Sequence, residues 1–261
     1  MGSLTDRGKL TLRQDGLAPF VFKTLRYPLK PLLIERASRA LKTAAAERPG
    51  VDNWVELAKR FNYAGITVTP WQKTGEIAGL MRILEADPPA SALELGTASG
   101  GTLFLLTRVA APDALLISVD LRRGRFGGGY PSWRGGLYRR FANDAQRVRL
   151  VRGNSHAARV RDRIRRLLEG RALDLLFVDG DHSYEGVKQD VADYAPLVRP
   201  GGIVALHDIV PGGPGRHGDP GGVPTFWQEL KARHPDAVEL VEDWEWGSCG
   251  IGVLRLPAPS A

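Results

Sequence analysis

The residues with the greatest chemical potential follow two apolar runs in the second half of the chain. The motif Asp-Gly-Asp-His-Ser-Tyr-Glu-Gly begins at Asp179 and places two carboxylates, an imidazole and a phenol within six residues. His207 and Asp208 follow the second run. This is more polar chemistry than a simple turn needs, so it predicts an active site. If the two runs are neighbouring strands, Asp179, His207 and Asp208 can bind one divalent cation, with oxygen atoms of water or substrate completing its shell.

A second chemical signal is the turn Gly96-Thr97-Ala98-Ser99-Gly100-Gly101-Thr102, which follows Leu93-Glu94-Leu95. Its glycines let the backbone approach a ligand where any Cβ would collide. The pyrophosphate fingerprint of dinucleotide-binding proteins requires a glycine at the position of Ala98. The carboxylate of Glu94 would also repel a pyrophosphate and attract a cationic or amine-bearing ligand. The turn therefore favours S-adenosylmethionine (SAM) over NAD.

A carboxylate also ends the next apolar run, at Asp120. It follows the glycines by about 20 residues, which is the spacing at which an acidic strand tip accepts hydrogen bonds from ribose hydroxyls. The structural alternative for Asp120 is a helix N-cap.

Beginning at Ala90, short apolar runs alternate with stretches long enough for helices. Such runs predict parallel strands buried on both faces. We therefore predict an α/β fold with a Rossmann-like, doubly wound, mostly parallel sheet, whose ligands lie outside the carboxyl ends of the strands. A helix, Phe226–Arg233, and an antiparallel C-terminal edge complete it. The predicted strands are Ser91–Leu95, Leu115–Asp120, Val148–Val151, Leu173–Val178 and Ile203–His207, followed by the edge strands Ala237–Leu240 and Gly250–Leu256.

Residues 1–67 are predicted to form a helical N-terminal leader, and residues 68–261 the main domain. Between 17 and 48, apolar and basic residues are interrupted by Pro19, Pro28 and Pro31. This pattern predicts a broken helical arm that packs on its own domain or on a second subunit of a homo-oligomer. The alternative is a peripheral contact with a membrane surface. No stretch has the ~20 apolar residues of a spanning helix.

Two further helices, 51–62 and 72–86, are predicted before the first strand of the sheet. Gln72 and Glu76, one turn apart, fit either an active-site entrance or a solvated face. Two glycine-rich loops follow strands: 125–133 predicts a mobile lid over the cofactor, and 211–224 is predicted to border the acceptor pocket.

The sequence from about 68 to 256 resembles the class I SAM-dependent methyltransferases. In that family the Glu-x-Gly turn carries the amino acid part of SAM and the acidic tip of the second strand holds its ribose. The resemblance therefore assigns Glu94, Gly96, Gly100 and Asp120 to the cofactor. The turn after the third strand, which contains Asn154 and Ser155, would face the adenine, although Asn154 replaces the usual acid. Three further residues are included among the predicted cofactor contacts: Thr97, Thr102 and Asp179.

The Asp-Gly-Asp-His-Ser-Tyr-Glu-Gly block and the later Gly-Gly-x-x-x-x-His-Asp resemble a branch that contains macrocin-type and aminocoumarin-sugar O-methyltransferases and cephalosporin-hydroxylase-like proteins. The resemblance implies Mg²⁺ held by Asp179 and Asp208, with Asp181 or His182 as base. His207 departs from the acidic pair of that branch, and imidazole suits softer cations. A metal-free mechanism with His182 or His207 as base is therefore the alternative.

Composition limits the remaining classes of function. The net charge is +7, but the basic residues are scattered, and the run Arg159–Arg166 fits a solvated helix face better than a nucleic-acid site. Because the chain has a single cysteine, Cys249, it has no internal disulfide, which favours a cytoplasmic location. Cys249 itself is expected to be a small core residue. The sequence thus predicts a cytoplasmic SAM-dependent methyltransferase that modifies a small-molecule hydroxyl, with no nucleic-acid partner. A SAM-binding relative with other chemistry, a basic RNA-modifying or interaction module and a dehydrogenase are the alternatives.

Overall fold

The structure is a computed structural model of the chain. It describes residues 17–122, 129–143, 145–212, 221–245, 247 and 249–257, with the backbone alone for residues 17–30. The predicted lid 125–133 and the loop 211–224 therefore lie partly outside the described residues, which include 129–133 of the first and 211–212 and 221–224 of the second.

A seven-stranded sheet forms the centre of the fold. Its strands are β3 (Ser91–Leu95), β4 (Leu115–Asp120), β5 (Arg147–Arg152), β6 (Leu173–Val178), β7 (Val198–His207), β8 (Val238–Leu240) and β9 (Ile251–Arg255). They lie in the order β5-β4-β3-β6-β7-β9-β8. The first five strands in this order are parallel, and β9 and β8 continue the sheet as antiparallel strands. The predicted Rossmann-like sheet with an antiparallel C-terminal edge is confirmed.

Helices cover both faces of this sheet, because the side chains of its central strands alternate between two buried layers. On one face pack α1 (Leu17–Glu47), α2 (Val51–Arg60), α3 (Thr74–Ala86), α4 (Gly101–Val109) and α5 (Arg134–Arg139). On the other pack α6 (Ala158–Leu168), α7 (Tyr184–Tyr194) and α8 (Val223–Arg233). A short hairpin with two residues in each strand, β1 (Asn62–Tyr63) and β2 (Ile66–Thr67), leads towards α3. The arginines of α6 lie mostly on its exposed face, as predicted.

The N-terminal arm differs from its prediction. We expected the three prolines to break it, but α1 continues from Leu17 to Glu47. A proline inside a helix removes one backbone hydrogen bond and favours a kink, a local cost that packing elsewhere can offset. In the second half of α1 this packing comes from Ile34, Ala37, Leu41 and Ala45, which are buried at helical spacing in the same core as α4. None of the helices among the described residues combines the length and apolar character needed to cross a bilayer.

Candidate active site

The glycine turn and the polar motif meet where the strand order reverses, between β3 and β6. The backbone N–H of Asp179 donates to Leu95 O at 2.8 Å, and that of Gly96 donates to Val119 O at 2.8 Å. These bonds extend the pairing of β3 just beyond its last residue. They fix the turn and Asp179 side by side at the carboxyl edge of the sheet, which is where doubly wound folds bind their ligands.

Only glycine fits at two positions of this turn. Gly96 has φ 103°, and a Cβ there would lie 1.9 Å from the carbonyl oxygen of Asp179. Gly100 has φ 81°, and its Cβ would lie 2.5 Å from the ring of Tyr138. The glycines therefore allow the turn to pack closely against the Asp179 backbone and the Tyr138 ring.

Ala98 adopts the left-handed region, with φ 42°, although it carries a Cβ. Two contacts hold it there: its N–H donates to Asp120 Oδ2 at 2.8 Å, and its carbonyl accepts from the Tyr138 hydroxyl at 2.8 Å. The chain thus reaches a tight turn without the glycine that a dinucleotide fingerprint would place at this position.

Glu94 is a buried carboxyl group below the turn, with 1% of its surface exposed. Ser118 donates to its Oε2, and the Thr97 and Ser118 hydroxyls lie 2.5 Å apart. Its other oxygen, Oε1, has no hydrogen-bond partner among the described residues. Burial raises the pKa of Glu94 to about 8. A cationic group on the ligand would satisfy the free oxygen and stabilise the ionised form, so this site fits the predicted SAM better than a pyrophosphate.

Asp120 connects the glycine turn to the segment that contains Gly129. Besides Ala98, it accepts a hydrogen bond from Gly129 N, which lies 2.7 Å from its Oδ1. Burial raises the pKa of Asp120, and the backbone donors and Arg152 oppose that shift. The next described helix begins only at Arg134, so Asp120 is not a helix N-cap among the described residues. Each carboxylate oxygen keeps acceptor capacity that ribose hydroxyls could use.

Asn154 and Ser155 follow β5 at the same edge. Asn154 Oδ1 accepts from His156 N at 2.9 Å, which closes a local turn, and the carbonyl of Ser155 accepts from the Tyr194 hydroxyl at 2.6 Å. The bond from Gly153 N to Asp120 O, at 2.8 Å, joins this turn to the end of β4. The predicted adenine and ribose contacts are therefore adjacent.

Two residues of the motif and one residue that follows β7 form a compact cluster at the ends of β6 and β7. Asp179, His182 and Asp208 each place a potential ligand atom within 4.8 Å of the other two. His182 lies between the carboxylates, with Nδ1 3.1 Å from Asp208 Oδ2 and Nε2 3.5 Å from Asp179 Oδ1. His207 Nδ1 lies 3.1 Å from the same oxygen of Asp179 and 3.4 Å from Asp208 Oδ1. The structure thus brings the predicted metal ligands and both histidines together.

The charges in this cluster stabilise one another. Burial alone would raise the pKa of Asp179, but His207 and His182 lower it to about 2. Burial alone would lower the pKa of both histidines, whereas the two carboxylates raise it above its usual value, most strongly for His207.

Asp181 lies apart from this cluster in its described contacts. Its Oδ1 accepts from Ser183 N at 3.0 Å and from the Ser183 hydroxyl at 2.8 Å, and Ser183 is the N-cap of α7. Of the two candidates that the sequence offered as base within the motif, the geometry favours His182.

Gln72 was left open by the sequence and is part of the site. It is buried, not solvated, and its Nε2 donates to Asp179 Oδ2 at 2.8 Å while its Oε1 accepts from the Thr102 hydroxyl at 3.0 Å. Lys59 donates to the carbonyls of Pro70 and Gln72 and thereby fixes the segment that carries Gln72. A polar residue at the start of a predicted amphipathic helix was the one signal available for this contact.

Part of the chain matches a known protein family. Residues 93–209 match the Methyltransf_24 family, described as a methyltransferase domain. The match begins in β3 and ends just after Asp208, so it includes the glycine turn, Asp120 and the cluster. Over these residues the chain is similar to a methyltransferase domain, and its sheet has the Rossmann-like fold expected of such a domain.

Solved structures share the fold at low sequence identity. The O-methyltransferase TomG from Streptomyces achromogenes, in complex with SAM, is 20% identical, with a TM-score of 0.52 over 86% of this chain and 98% of that one. The O-methyltransferase from Bacillus cereus, in complex with SAH, is 19% identical, with a TM-score of 0.53 over 85% and 99%. The MycE methyltransferase of the mycinamycin pathway, in complex with Mg, SAH and mycinamycin VI, is 16% identical, with a TM-score of 0.50 over 82% and 56%.

A curated relative is the uncharacterized protein y4gI of Sinorhizobium fredii, which is 28% identical over 175 residues. The alignment covers 63% of this chain, and the chain spans only 17% of the length of that relative.

Proposed function

We propose that the protein transfers the methyl group of SAM to a hydroxyl of a small molecule. The observation that carries this proposal is the position of His182. It lies between two carboxylates, and one of these, Asp179, is bonded to the end of the strand that leads into the glycine turn. A hydroxyl needs to lose a proton as it is methylated, and this arrangement offers an acceptor for that proton.

SAM would be held by the residues at the ends of β3, β4 and β5. Glu94 would neutralise positive charge on its amino acid part, Asp120 would accept from the ribose hydroxyls, and the turn at Asn154 and Ser155 would border the adenine. Gly96 and Gly100 would contribute by allowing the positive-φ turn beside the cofactor. When bound, SAM supplies an activated methyl group on a sulfonium centre, so the chain itself must orient the acceptor and manage one proton.

In the proposed step, the acceptor oxygen forms its bond to the methyl carbon as the carbon–sulfur bond breaks, and the hydroxyl proton moves to His182. The carboxylates of Asp179 and Asp208 stabilise the resulting imidazolium. Gln72 and His207 hold Asp179 from two sides, which keeps its carboxylate fixed while charge develops. His207 is thus assigned to positioning in this account.

A divalent cation such as Mg²⁺ is the second part of the proposal. Asp179 and Asp208 are oxygen ligands of the kind Mg²⁺ prefers, and His207 Nδ1 is adjacent to both. A cation at these carboxylates would lower the pKa of an acceptor hydroxyl.

The acceptor is proposed to be a ring-bearing small molecule, such as a sugar or a secondary metabolite. Trp71 and Trp244 are exposed by 62% and 52%, although tryptophan is usually mostly buried. Trp71 directly precedes Gln72, and the segment that carries Trp244 is joined to α3 by a bond from Gly75 N to Glu242 Oε2 at 2.9 Å. Flat indole faces on both segments suit the face of a ring.

The proposal is tested with deuterated-methyl SAM and a panel of hydroxyl and amine acceptors, with host extracts as a further source. Products are identified by mass spectrometry, in EDTA and after addition of Mg²⁺. We expect an O-methyl product whose yield depends on Mg²⁺. Intact SAM binding without any labelled product would indicate other chemistry at the SAM site. Labelled RNA would instead support the RNA-modifying alternative, and binding by scattered arginines alone should disappear as salt is raised.

The remaining expectations concern the context of the enzyme. A chain with one cysteine suits a reducing cytoplasm, and α1 remains a candidate surface for a second subunit or for peripheral contact with a membrane. The boundary between a leader, 1–67, and a domain, 68–261, likewise remains a proposal.

A further inference from the structure

A second group of potential ligands lies behind the proposed methyl-transfer cluster. Glu76, His207 and Cys249 each place one ligand atom within 4.8 Å of the other two. They come from the first turn of α3, the end of β7 and the loop before β9. The proposed methyl transfer uses neither Glu76 nor Cys249, so their convergence on His207 is unexplained by that function. Cys249 is half-buried beside polar groups, in contrast to the core position expected from the sequence.

The imidazole of His207 is satisfied on one side only. Its Nδ1 faces Asp179, whereas its Nε2 is buried and has no hydrogen-bond partner among the described residues. The side chain is only 5% exposed. A buried ring nitrogen without a conventional hydrogen-bond partner is costly, and the Cys249 side chain also interacts with this imidazole. A metal ion held between the nitrogen and the sulfur would satisfy both groups.

The contact between His207 and Asp179 has the form expected of a metal-binding histidine. Such a histidine coordinates through one ring nitrogen and donates the N–H of the other to a carboxylate, which fixes its tautomer and orientation. The distance of 3.1 Å from Nδ1 to Asp179 Oδ1 provides that second contact. Coordination at Nε2 would therefore complete a carboxylate, histidine and metal arrangement.

The other two residues are held in place by the backbone around them. Cys249 has φ 68°, in the left-handed region, and its N–H donates to Asp208 Oδ1 at 2.9 Å. Glu76 accepts from Gly250 N at 3.0 Å and from Glu242 N at 3.3 Å, on different carboxylate oxygens. The loop that carries Cys249 is thus bonded both to the end of β7 and to Glu76. This bonding fixes the relative positions of the three side chains before any ion arrives.

We propose that Glu76, His207 Nε2 and Cys249 Sγ bind Zn²⁺ at a site separate from the Asp179–Asp208 carboxylates. Sulfur, imidazole and carboxylate are the ligand types that zinc uses, and a thiolate is a poor ligand for Mg²⁺. The charges of a thiolate and a carboxylate balance the ion. The site would hold the proton of His207 on Nδ1, directed at Asp179, and would make His207 a positioning residue for the methyl-transfer cluster.

The test uses the full chain, stripped with a chelator and titrated with Co²⁺ or Zn²⁺ alone. We expect one strong site that gives a thiolate-to-cobalt charge-transfer band in the near ultraviolet. Glu76→Gln and Cys249→Ser should each weaken Zn²⁺ binding by ~10-fold or more, since even changes to groups around metal ligands cost 10–100-fold. His182→Ala and the surface variant His234→Ala should keep the band.

The absence of a charge-transfer band in the wild type would overturn the proposal. So would a band that is lost in His182→Ala and kept in Glu76→Gln, because the ion on Cys249 would then depend on the other cluster and not on Glu76. If Cys249→Ser does not fold, alkylation of the wild-type thiol replaces it: Zn²⁺ should slow modification of Cys249 at least ~10-fold by occupying its sulfur, and an unchanged rate would contradict the site. Neither readout depends on methyl transfer, so failure of the zinc site and failure of the proposed function are distinguishable.

Discussion

Glu94, near the end of β3, is buried, and Asp179, just after the adjacent strand β6, is half-buried. The pKa values of these two carboxyl groups shift in opposite directions. Burial raises the pKa of Glu94 to about 8. The pKa of Asp179 falls to about 2, because His207 and His182 outweigh the effect of burial. The difference lies in the partners: a neutral hydroxyl contacts Glu94, and two imidazoles contact Asp179.

This contrast separates the site into two halves with different tasks. The cofactor half has an uncompensated acid and gains stability from a cationic ligand. The transfer half pairs its carboxylates with two imidazoles of its own, which can take up and release a proton. The following variants test the contrast in order of decreasing expected effect.

The largest effect is expected at His182. His182→Ala removes the proposed proton acceptor, so methyl transfer should fall by roughly 10²–10⁴-fold, the usual contribution of a general base. SAM affinity should change by no more than a few-fold, because the cofactor half is intact. Steady-state rates and calorimetry measure the two effects, and His234→Ala serves as a surface control. A large loss of SAM affinity with little loss of turnover would reverse the assigned roles.

The next effect concerns the ribose. Asp120→Ala leaves the hydroxyls of the ligand without their charged acceptor, so the affinity for S-adenosylhomocysteine should fall by about 10- to 100-fold. The stabilisation that the ligand gives to the native state should shrink accordingly. Thermal shift measures this loss, with the exposed Asp113→Ala as the matched control. An unchanged shift would place the ribose elsewhere.

A third prediction concerns stability without ligand. Because the folded-state pKa of Glu94 lies above its unfolded value, the folded protein holds an extra proton between about pH 4.5 and 8, and its stability falls as the pH rises through that window. Glu94→Gln removes this penalty. The variant should gain free energy of unfolding relative to the wild type as the pH is raised from 5 to 8, on the order of a few kcal/mol. Urea denaturation at several pH values measures it, and a constant difference across the window would contradict the raised pKa.

The smallest effect should be a shift in the pH profile. The carboxylates raise the pKa of His182, so the rate in EDTA should increase with pH through a value above 6.5 as the imidazole loses its proton. Mg²⁺ at Asp179 and Asp208 would cancel part of their charge, so the rate should then rise at a pH lower by about 1. A shift to higher pH would argue against a cation at these carboxylates.

Much of the fold was predictable because a strand that is buried on both faces has a continuous apolar run in the sequence. Ser91–Leu95, Leu115–Asp120 and Leu173–Val178 begin and end where predicted. The start of β7 was missed: the strand begins at Val198, because Arg199 to Gly201 interrupt its apolar run with polar and turn-forming residues.

The site was predictable where chemistry follows a strand directly, as at Asp120, Asp179 and Asp208. Contacts across elements were not. Gln72 reaches Asp179 from a segment more than 100 residues away in the chain, and Cys249 meets His207 only because β9 pairs with β7. No local pattern encodes such pairings, since they depend on how the helices and the antiparallel edge close over the sheet.

The most direct test of the two-half account is proton release on SAM binding. Calorimetric titrations at pH 7, in buffers with different ionisation enthalpies, count the protons exchanged per SAM bound. Because Glu94 holds its proton at this pH and a cationic ligand ionises it, the wild type should release roughly one proton. His182→Ala should release the same amount and Glu94→Gln none. A binding enthalpy of the wild type that does not depend on the buffer would contradict the account. So would a proton release that disappears in His182→Ala and persists in Glu94→Gln.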